Sequence, residues 1–416
     1  MDEPIIVVGG GASGMMAAGR AAERGAPVLL LEKTPRLGNK LRITGKGRCN
    51  LTNVAPLADF VAHFGPHGRF LYGALSRFTV DDLRDFLAAR GVPTVVERGG
   101  RVFPEVNDAD AVADALAAYL RQGGAQVRRR TRVSGLVAAN GRIAGVESAG
   151  QTFPARAVIV AAGGASYPGT GSTGDAYPWL AALGHTVVPP RPALVPLVVA
   201  EPFVAQLEGL SLRNVRATLL LDGRALASEF GEMVFTSDGV SGPIVLTLSD
   251  QAAQAAARGR AELAIDLKPA LSQEQLDERL RRDLDQHGRR SYRRLLAGLL
   301  PRLLIDVFAA RSAIPPQKPG SQITAEERAR LRGLLKDFRL TIAGARPIAE
   351  AIVTAGGVAL DELDPRTLES RLIRGLYCCG EVIDVHADTG GYNLQAAFST
   401  GYLAGDSAAR ALGYGR

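Results

Sequence analysis

The chain has 416 residues, 46% of them hydrophobic, enough apolar material for two or three folded units rather than a single small domain. Three cysteines and five histidines, with no CxxC and no metal-ligand spacing, exclude a disulfide framework and a zinc site and fit a reducing, cytoplasmic setting. The net charge of +7 favours an anionic partner, and no apolar run reaches the roughly 18 residues of a membrane span or resembles a targeting segment.

The first element is the β-branched run "IIVV" at residues 5–8, which turns glycine-rich in "GGGASG" and continues into helix-forming "MMAAGRAAER" up to Gly25. "PVLLLEK" reads as the next parallel strand, completing a βαβ unit. "DDLRDFLAARGV" and "ADAVADALAAYLRQGGAQV" read as helices, and "VSGLVAA", "RIAGVES" and "ARAVIVAAGG" as strands. After Pro189 the texture changes to "ALVPLVV", "VRATLLL", "EMVFTSDGVSGPIVLTLS" and "AELAIDL", short apolar stretches broken by Pro and Gly that predict strands and turns. Helical composition returns from Ser272 to about Ala313 and from Thr324 to Phe338, separated by the loop "IPPQKPGSQ"; from about Ala351 the glycine-rich α/β texture resumes. This order predicts a nucleotide-binding domain that is left and re-entered: residues 1–190, a β-rich, barrel-like insert over 191–268, a basic helical insert over 269–340, and a return over 341–416. Between Leu271 and Leu340 there are 15 Lys/Arg against 9 Asp/Glu, most of the whole chain's excess. A solvated helix face accounts for such a cluster as well as a polyanion does.

Gly9, Gly11 and Gly14 form GxGxxG directly after a strand and at the opening of a helix. The first allows the tight turn, the second lets backbone approach a pyrophosphate, and the third allows close helix–strand packing; the free helix N–H groups attract the anion. Glu32, 18 residues after Gly14, closes the next strand where a carboxylate would accept from ribose hydroxyls. A second match, "GTGSTG" at 169–174, stands beyond its strand and lacks the acidic residue, so it predicts a loop, near the cofactor or simply on the surface. The vicinal Cys378 and Cys379 point to opposite faces if their segment is a strand, which predicts packing rather than a redox pair. In "GLYCCGEVID" an apolar strand ends in Gly380 and Glu381, and "TGGYNLQAAFSTGYLAG" then opens a helix on glycines. A second acid and a second helix N-terminus suit the far end of an extended dinucleotide, which selects FAD over NAD.

The blocks "VVGGGASGMMAA", "GNKLRITGKGRCNLTN", "GTGSTGDAYPWLAALGHTVVPPRPALVPL", "FTSDGVSGPIVLTLS", "VTAGGVALDELDPRTLESRLIRGLYCCGEVIDV" and "TGGYNLQAAFSTGYLAG", in this order, resemble the YhiN/BaiN/RdsA-like FAD-dependent oxidoreductases. The resemblance implies an α/β fold, with a FAD-binding Rossmann-like domain of glutathione-reductase type interrupted by a β-barrel and a small helical domain. Expected FAD contacts are Gly9, Gly11, Ala12, Ser13, Gly14, Glu32, Lys33, Lys40, Gly45, Gly47, Arg48, Cys49, Asn50, Val133, Ala162, Gly163, Gly380, Glu381, Gly390, Gly391, Tyr392, Asn393 and Leu394, with no metal. Two departures stand out: Ser237 replaces the histidine of the family's usual "FTHxGxSGP", and Asn39 replaces the arginine of its usual "GRK", leaving Lys40 as the nearby cation.

A flavin needs a reductant and an acceptor. With no second nucleotide domain, NAD(P)H is expected to dock transiently and leave before the substrate arrives. The family's chemistries include reduction of an activated C=C bond in bile-acid intermediates, aminoacetone oxidation and formation of dihydrouridine in ribosomal RNA; the basic insert favours uridine in 23S rRNA, with a small molecule as the alternative. Arg279, Arg281, Arg282, Arg289, Arg290, Arg293 and Arg294, with Tyr292 among them, form the expected RNA face, and the base has to be extruded to reach the ring. The required acid is expected among Cys49, Tyr392 and His386. Cys49, beside Arg48, is either an acid of tuned pKa or a residue packed against the flavin.

Overall fold

The computed structural model describes residues 3–415. The chain divides into two compact units, one built from the segments before Ala193 and after Ile348, the other from Leu194–Pro347.

In the first unit the strands Leu376–Cys378, Ala157–Val160, Ile5–Val8, Val28–Leu31 and Gln126–Arg128 lie side by side in that order, all parallel. The three inner strands are buried end to end, as expected of β-branched and leucine runs covered on both faces. Side chains alternate between two apolar clusters: Ile5, Val7, Leu30, Ile159 and Cys379 belong to one, and Ile6, Val8, Leu31, Val160 and Cys378 to the other. The vicinal cysteines therefore sit on opposite faces of the sheet and cannot act as a pair. On the Ile5 face pack the helices Ala12–Glu23, Ala109–Gln122 and Tyr392–Ala411. The first of these stops at Arg24, where Gly25 takes the left-handed φ of 86° and Ala26 N–H returns to Ala21 O.

The first and last helices of the unit cross in backbone contact. A Cβ on Gly401 would collide with Ser13 O and one on Gly405 with Ala17 O, so only glycine allows this approach. Arg20 and Arg24 then reach Asp406 at 2.7 and 2.5 Å beside the crossing.

The second unit holds a closed antiparallel barrel of Leu197–Val199, Gly239–Ser241, Arg224–Phe235, Ser211–Leu221, Ala261–Asp266 and Phe338–Ala345, the last pairing with the first. The closing strand comes after the helices Gln273–Gln286, Tyr292–Leu296, Arg302–Ser312 and Ala325–Lys336. The helical segment is thus threaded between two barrel strands, and the boundary expected at 340/341 falls inside the closing strand. One apolar cluster contains barrel and helices together, with Phe308 stacked on Phe338 at 5.3 Å. Two of the helices begin with the capping boxes Ser272–Gln275 and Thr324–Glu327.

One segment departs from its expected form: "PIVLTLS" is not strand and turn but the start of the helix Pro243–Ala256. Gly242 at φ 94° allows the entry and Pro243 suits the first helical position. Ile244, Val245, Leu248, Ala252 and Ala255 then bury one face at helical spacing, a pattern that the β-branched start conceals until "DQAAQAA" is included.

The architecture is an α/β, Rossmann-like fold interrupted by a β-barrel. The helix crossing leaves no room for a larger side chain. Gly405→Val should cost about 1–3 kcal/mol by overpacking and lower the Tm by several degrees; thermal unfolding by circular dichroism measures this, and an unchanged Tm would refute the close approach.

Candidate functional site

The glycine turn after Ile5–Val8 divides its three roles as the fingerprint requires. Gly9 has φ 104° and no room for a Cβ beside Ala161 O, while a Cβ on Gly14 would strike Gly9 O. Gly11, the N-cap, faces open space: nothing lies within 4 Å of where its Cβ would be, and no side chain caps the helix. Ala12 and Ser13 occupy the first turn, and no acidic residue opposes an anion there.

Glu32 is buried and clamps this turn, its Oε2 accepting from Gly10 N–H at 2.7 Å and its Oε1 from Thr34 N–H at 2.7 Å. The next residue, Lys33, donates to Thr173 Oγ1 at 2.6 Å and Asp175 Oδ2 at 2.8 Å. The "GTGSTG" loop is therefore held against the segment after Glu32, with Gly171 packed so closely that its Cβ would lie 2.9 Å from Thr34 Cγ2. Burial alone would raise the Asp175 carboxyl, but the hydrogen bonds from Lys33 and Thr173 prevail and hold it below the ordinary range. Val133 is buried at the start of the strand Val133–Ala139.

Further along the sheet edge, Lys40 Nζ donates to Glu381 Oε2 at 2.7 Å and to Ser166 Oγ at 2.6 Å. Glu381 Oε1 also accepts from Thr354 N–H at 2.7 Å, and Thr354 Oγ1 accepts from the amides of Ala165 and Ser166. This network ties the turn at Ala162 and Gly163, where Gly163 has φ 74°, to Gly380 and Glu381. Ser166 and Thr354 lie in or beside glycine-rich stretches, and nothing in a linear chain marks a hydroxyl as one that shares a carboxylate.

The "TGKGRCNLTN" segment is a coil of left-handed residues: Gly45, Lys46, Gly47 and Cys49 have φ of 63°, 60°, 85° and 62°. Arg48 turns away from the thiol to lie over Phe103 at 4.3 Å, donating to Asn107 Oδ1 at 2.8 Å and pairing with Glu97. Cys49 is 0% exposed within the apolar cluster, and burial pushes its thiol up to about 12. The expectation that Arg48 tunes a reactive thiol is overturned: the guanidinium has other partners, and desolvation alone acts on the sulfur. Asn50 Oδ1 and Thr52 Oγ1 are buried with no hydrogen-bond partner. Such orphaned acceptors are costly unless a ligand group satisfies them.

That coil abuts the last helix. The backbone of Thr52 fills the space where a Cβ on Gly391 would stand, and Asn53 Nδ2 donates to Gly390 O at 3.4 Å. Gly390 and Gly391 have φ of 135° and 102°, and the helix Tyr392–Ala411 begins without a side-chain cap. Asn393 closes the preceding loop, accepting from Ala387 N–H at 2.8 Å and donating to Ala387 O at 2.9 Å. Leu394 packs partly buried against the helical face of the sheet, and His386 is half-buried in the loop. The Tyr392 ring stacks on His63 at 3.9 Å and meets Phe60 edge-on at 4.8 Å. Of the three candidate acids, Cys49 and Tyr392 belong to the apolar clusters on opposite faces of the sheet.

Two uncapped glycine-rich helix N-termini, the carboxylates Glu32 and Glu381, and orphaned acceptors between them fit an extended dinucleotide. Burial by itself would raise the Glu381 carboxyl, but the Lys40 charge and hydrogen bond, the Thr354 amide and the Ser166 hydroxyl bring it below the usual glutamate range. The unfolded chain, with a carboxyl near about 4.3, then binds a proton the folded chain refuses. This contribution to stability is complete above that pH and is lost as the pH falls through the lowered folded value. Glu381→Gln should therefore flatten the fall in urea midpoint between about pH 6 and pH 3; an unaltered slope would count against the network. A second expectation concerns the thiols, all three buried: iodoacetamide should label none in the native protein and all three after unfolding, as mass spectrometry can show.

Residues 3–407 match the family model described as HI0933-like protein Rossmann domain. The chain is 35% identical over 407 residues to the 3-dehydro-bile acid delta(4,6)-reductase of Clostridium scindens, covering 97% of this chain and 98% of that protein. It is 30% identical over 397 residues to the ribosomal RNA dihydrouridine synthase of Escherichia coli, covering 95% and 96%. Among solved structures, a flavocytochrome c3 fumarate reductase superposes with TM-score 0.55 at 17% identity over 98% of this chain and 78% of that one. The 3-ketosteroid-delta4-(5alpha)-dehydrogenase of Rhodococcus jostii RHA1 gives 0.52 at 18% over 98% and 96%, a likeness of fold. From its first strand to its last helix, the chain belongs to the HI0933-like Rossmann family.

Proposed function

We propose that the protein is a FAD-dependent oxidoreductase that uses NAD(P)H to reduce an activated C=C bond, with uridine in 23S rRNA as its substrate. The observation that carries the bond chemistry is the pair of full-length relatives. Their names describe different substrates, a bile acid and an RNA, but the same addition of two hydrogens across C=C.

When bound, FAD supplies two-electron transfer between a nicotinamide and an electron-poor double bond. The chain's part is to bind and to orient. The amides behind Gly11 and in the first turn of Ala12–Glu23 would hold the pyrophosphate, Glu32 the ribose, and Glu381 with Lys40 the polyol; the amides of Gly391–Leu394 would face the ring, with Asn50 and Thr52 offering their unused oxygens. Cys49 supports the coil from behind as packing.

The RNA reading draws on the helical segment of the second unit. Arg281, Arg282, Arg289, Arg290, Arg293 and Arg294 are all exposed. Arg293 pairs with Asp306, whereas Arg281, Arg282, Arg289, Arg290 and Arg294 form no salt bridge among the described residues. Unpaired guanidinium groups on one segment suit phosphates. Tyr292 is not part of this face: its ring is 1% exposed in the barrel-and-helix core and its hydroxyl donates to Ser312 Oγ at 3.0 Å. The expectation that it belongs to the RNA face fails, because at the start of Tyr292–Leu296 its ring is turned into the core. A small-molecule enone substrate is the second reading, favoured by the higher identity to the bile-acid reductase.

Deleting the gene should abolish one dihydrouridine in the large-subunit rRNA, measured by nucleoside mass spectrometry. Complementation with Arg281, Arg282, Arg289 and Arg290 all changed to alanine should fail to restore it, and should reduce the salt slope of binding to unmodified rRNA by up to about 0.7 per lost phosphate contact. Unchanged dihydrouridine in the deletion strain would leave the small-molecule reading.

A further inference from the structure

Adding two hydrogens to a C=C bond requires an acid as well as a hydride, and the acid must be recharged from solvent between turnovers. Cys49, Cys378 and Cys379 are fully buried and burial pushes their thiols up, so none exchanges a proton with water in that way. His185 is enclosed, its Nδ1 on Glu362 Oε2 at 3.0 Å and its Nε2 on Ser370 Oγ at 2.9 Å, which occupies both nitrogens. Tyr177 is buried as well.

His63 differs from all of these. It caps the C-terminus of the short helix Leu57–Ala62, is half-exposed, and donates through Nδ1 to Asp388 Oδ2 at 2.9 Å. Its ring lies 3.9 Å from that of Tyr392 at an interplanar angle of 22°, and Tyr392 is the first residue of the helix whose uncapped N-terminus is assigned above to the flavin. The stack and the carboxylate fix the imidazole in two directions. Nδ1 is engaged and Nε2 makes no hydrogen bond to the described residues, the arrangement in which a carboxylate orients a histidine and leaves its outer nitrogen for chemistry. Asp388 from the loop and Tyr392 from the last helix touch it; Asp59 from its own helix acts on Tyr392, and His67, four residues further along, lies 3.8 Å from Asp384.

We propose that His63, oriented by Asp388 and by its stack on Tyr392, is the acid that protonates the substrate during C=C reduction. The inference rests on the reductase reading above. The π bond of the substrate breaks and two C–H bonds form. Bound FAD, reduced by NAD(P)H, would supply the hydride equivalent to one carbon and be left oxidised by two electrons; the other carbon would take the proton from His63 Nε2, and the neutral imidazole would be reprotonated from water. Asp388 is a positioning residue that acts through the imidazole.

The test uses the full chain loaded with FAD, NADH or NADPH as reductant, unmodified 23S rRNA transcript and a cyclic enone as acceptors, and the variants His63→Ala, His63→Gln and Asp388→Asn. FAD affinity, followed by fluorescence titration, should stay within about threefold of wild type in all three. Turnover should fall about 10²-fold or more in both His63 variants. Added imidazole should restore at least tenfold to His63→Ala and nothing to His63→Gln, whose side chain fills the gap. Asp388→Asn should fall less and shift the pH profile of kcat. Turnover of both His63 variants within threefold of wild type overturns the proposal, as does a loss explained by FAD affinity or one that imidazole does not rescue. If the wild-type enzyme saturates neither acceptor, the reductase reading itself has failed and the assignment of His63 falls with it; only the wild-type arm gives that result.

Discussion

The contact on which the rest of the first unit depends is the crossing of its first and last helices, where Gly401 lies on the backbone of Ser13 and Gly405 on that of Ala17. A domain whose chain leaves at Ala193 and returns at Ile348 needs contacts between its two segments to be one body. Here the last helix supplies a flat glycine face, and the fifth parallel strand, Leu376–Cys378, pairs with Ala157–Val160 beneath it. Asp406 reinforces the crossing. Burial would raise its carboxyl, yet the hydrogen bonds and charges of Arg24 and Arg20 hold it low, so it stays charged where its partners need it.

The same crossing sets the cofactor geometry. Ser13, in the first turn of the glycine-fingerprint helix, stands where a Cβ on Gly380 would go. One buried serine therefore touches both the last helix and the turn that carries Glu381, and both ends of the predicted dinucleotide site are referred to one point. Around it the polar groups fall into two kinds. Glu32, Lys33, Lys40 and Glu381 are satisfied by each other, by the backbone or by the side chains of Thr173, Asp175 and Ser166, which pre-orients them. Asn50 Oδ1 and Thr52 Oγ1 have no protein partner, which is a cost of folding that a bound ligand can offset.

Features set by local chemistry were legible in the sequence. Gly9, Gly11 and Gly14 announced their separate roles because each role is a steric demand within a few residues. The alternation of "IIVV" and of the vicinal cysteines follows from strand periodicity. Features set by what packs against a residue were not. Tyr292, in the midst of arginines, looked like a surface aromatic; its ring is core because a helix of five residues turns one face inward. Cys49 looked reactive beside Arg48, but neighbours in a left-handed coil diverge, and the cation found Glu97, Asn107 and Phe103 instead.

His63 and Asp388 are 325 residues apart, and no periodicity or motif joins them. The same holds for Lys40, Ser166, Thr354 and Glu381, whose shared carboxylate exists only once three glycine turns converge at a sheet edge. The sequence by itself determined the class of fold, the interrupted order of the chain and the two glycine-rich helix openings, because glycine requirements and hydrophobic periods are written in consecutive residues. Only the tertiary structure decided that the barrel closes after the helical segment, that Cys49 is packing and that a histidine rests on Tyr392, since each depends on which distant surfaces exclude water together.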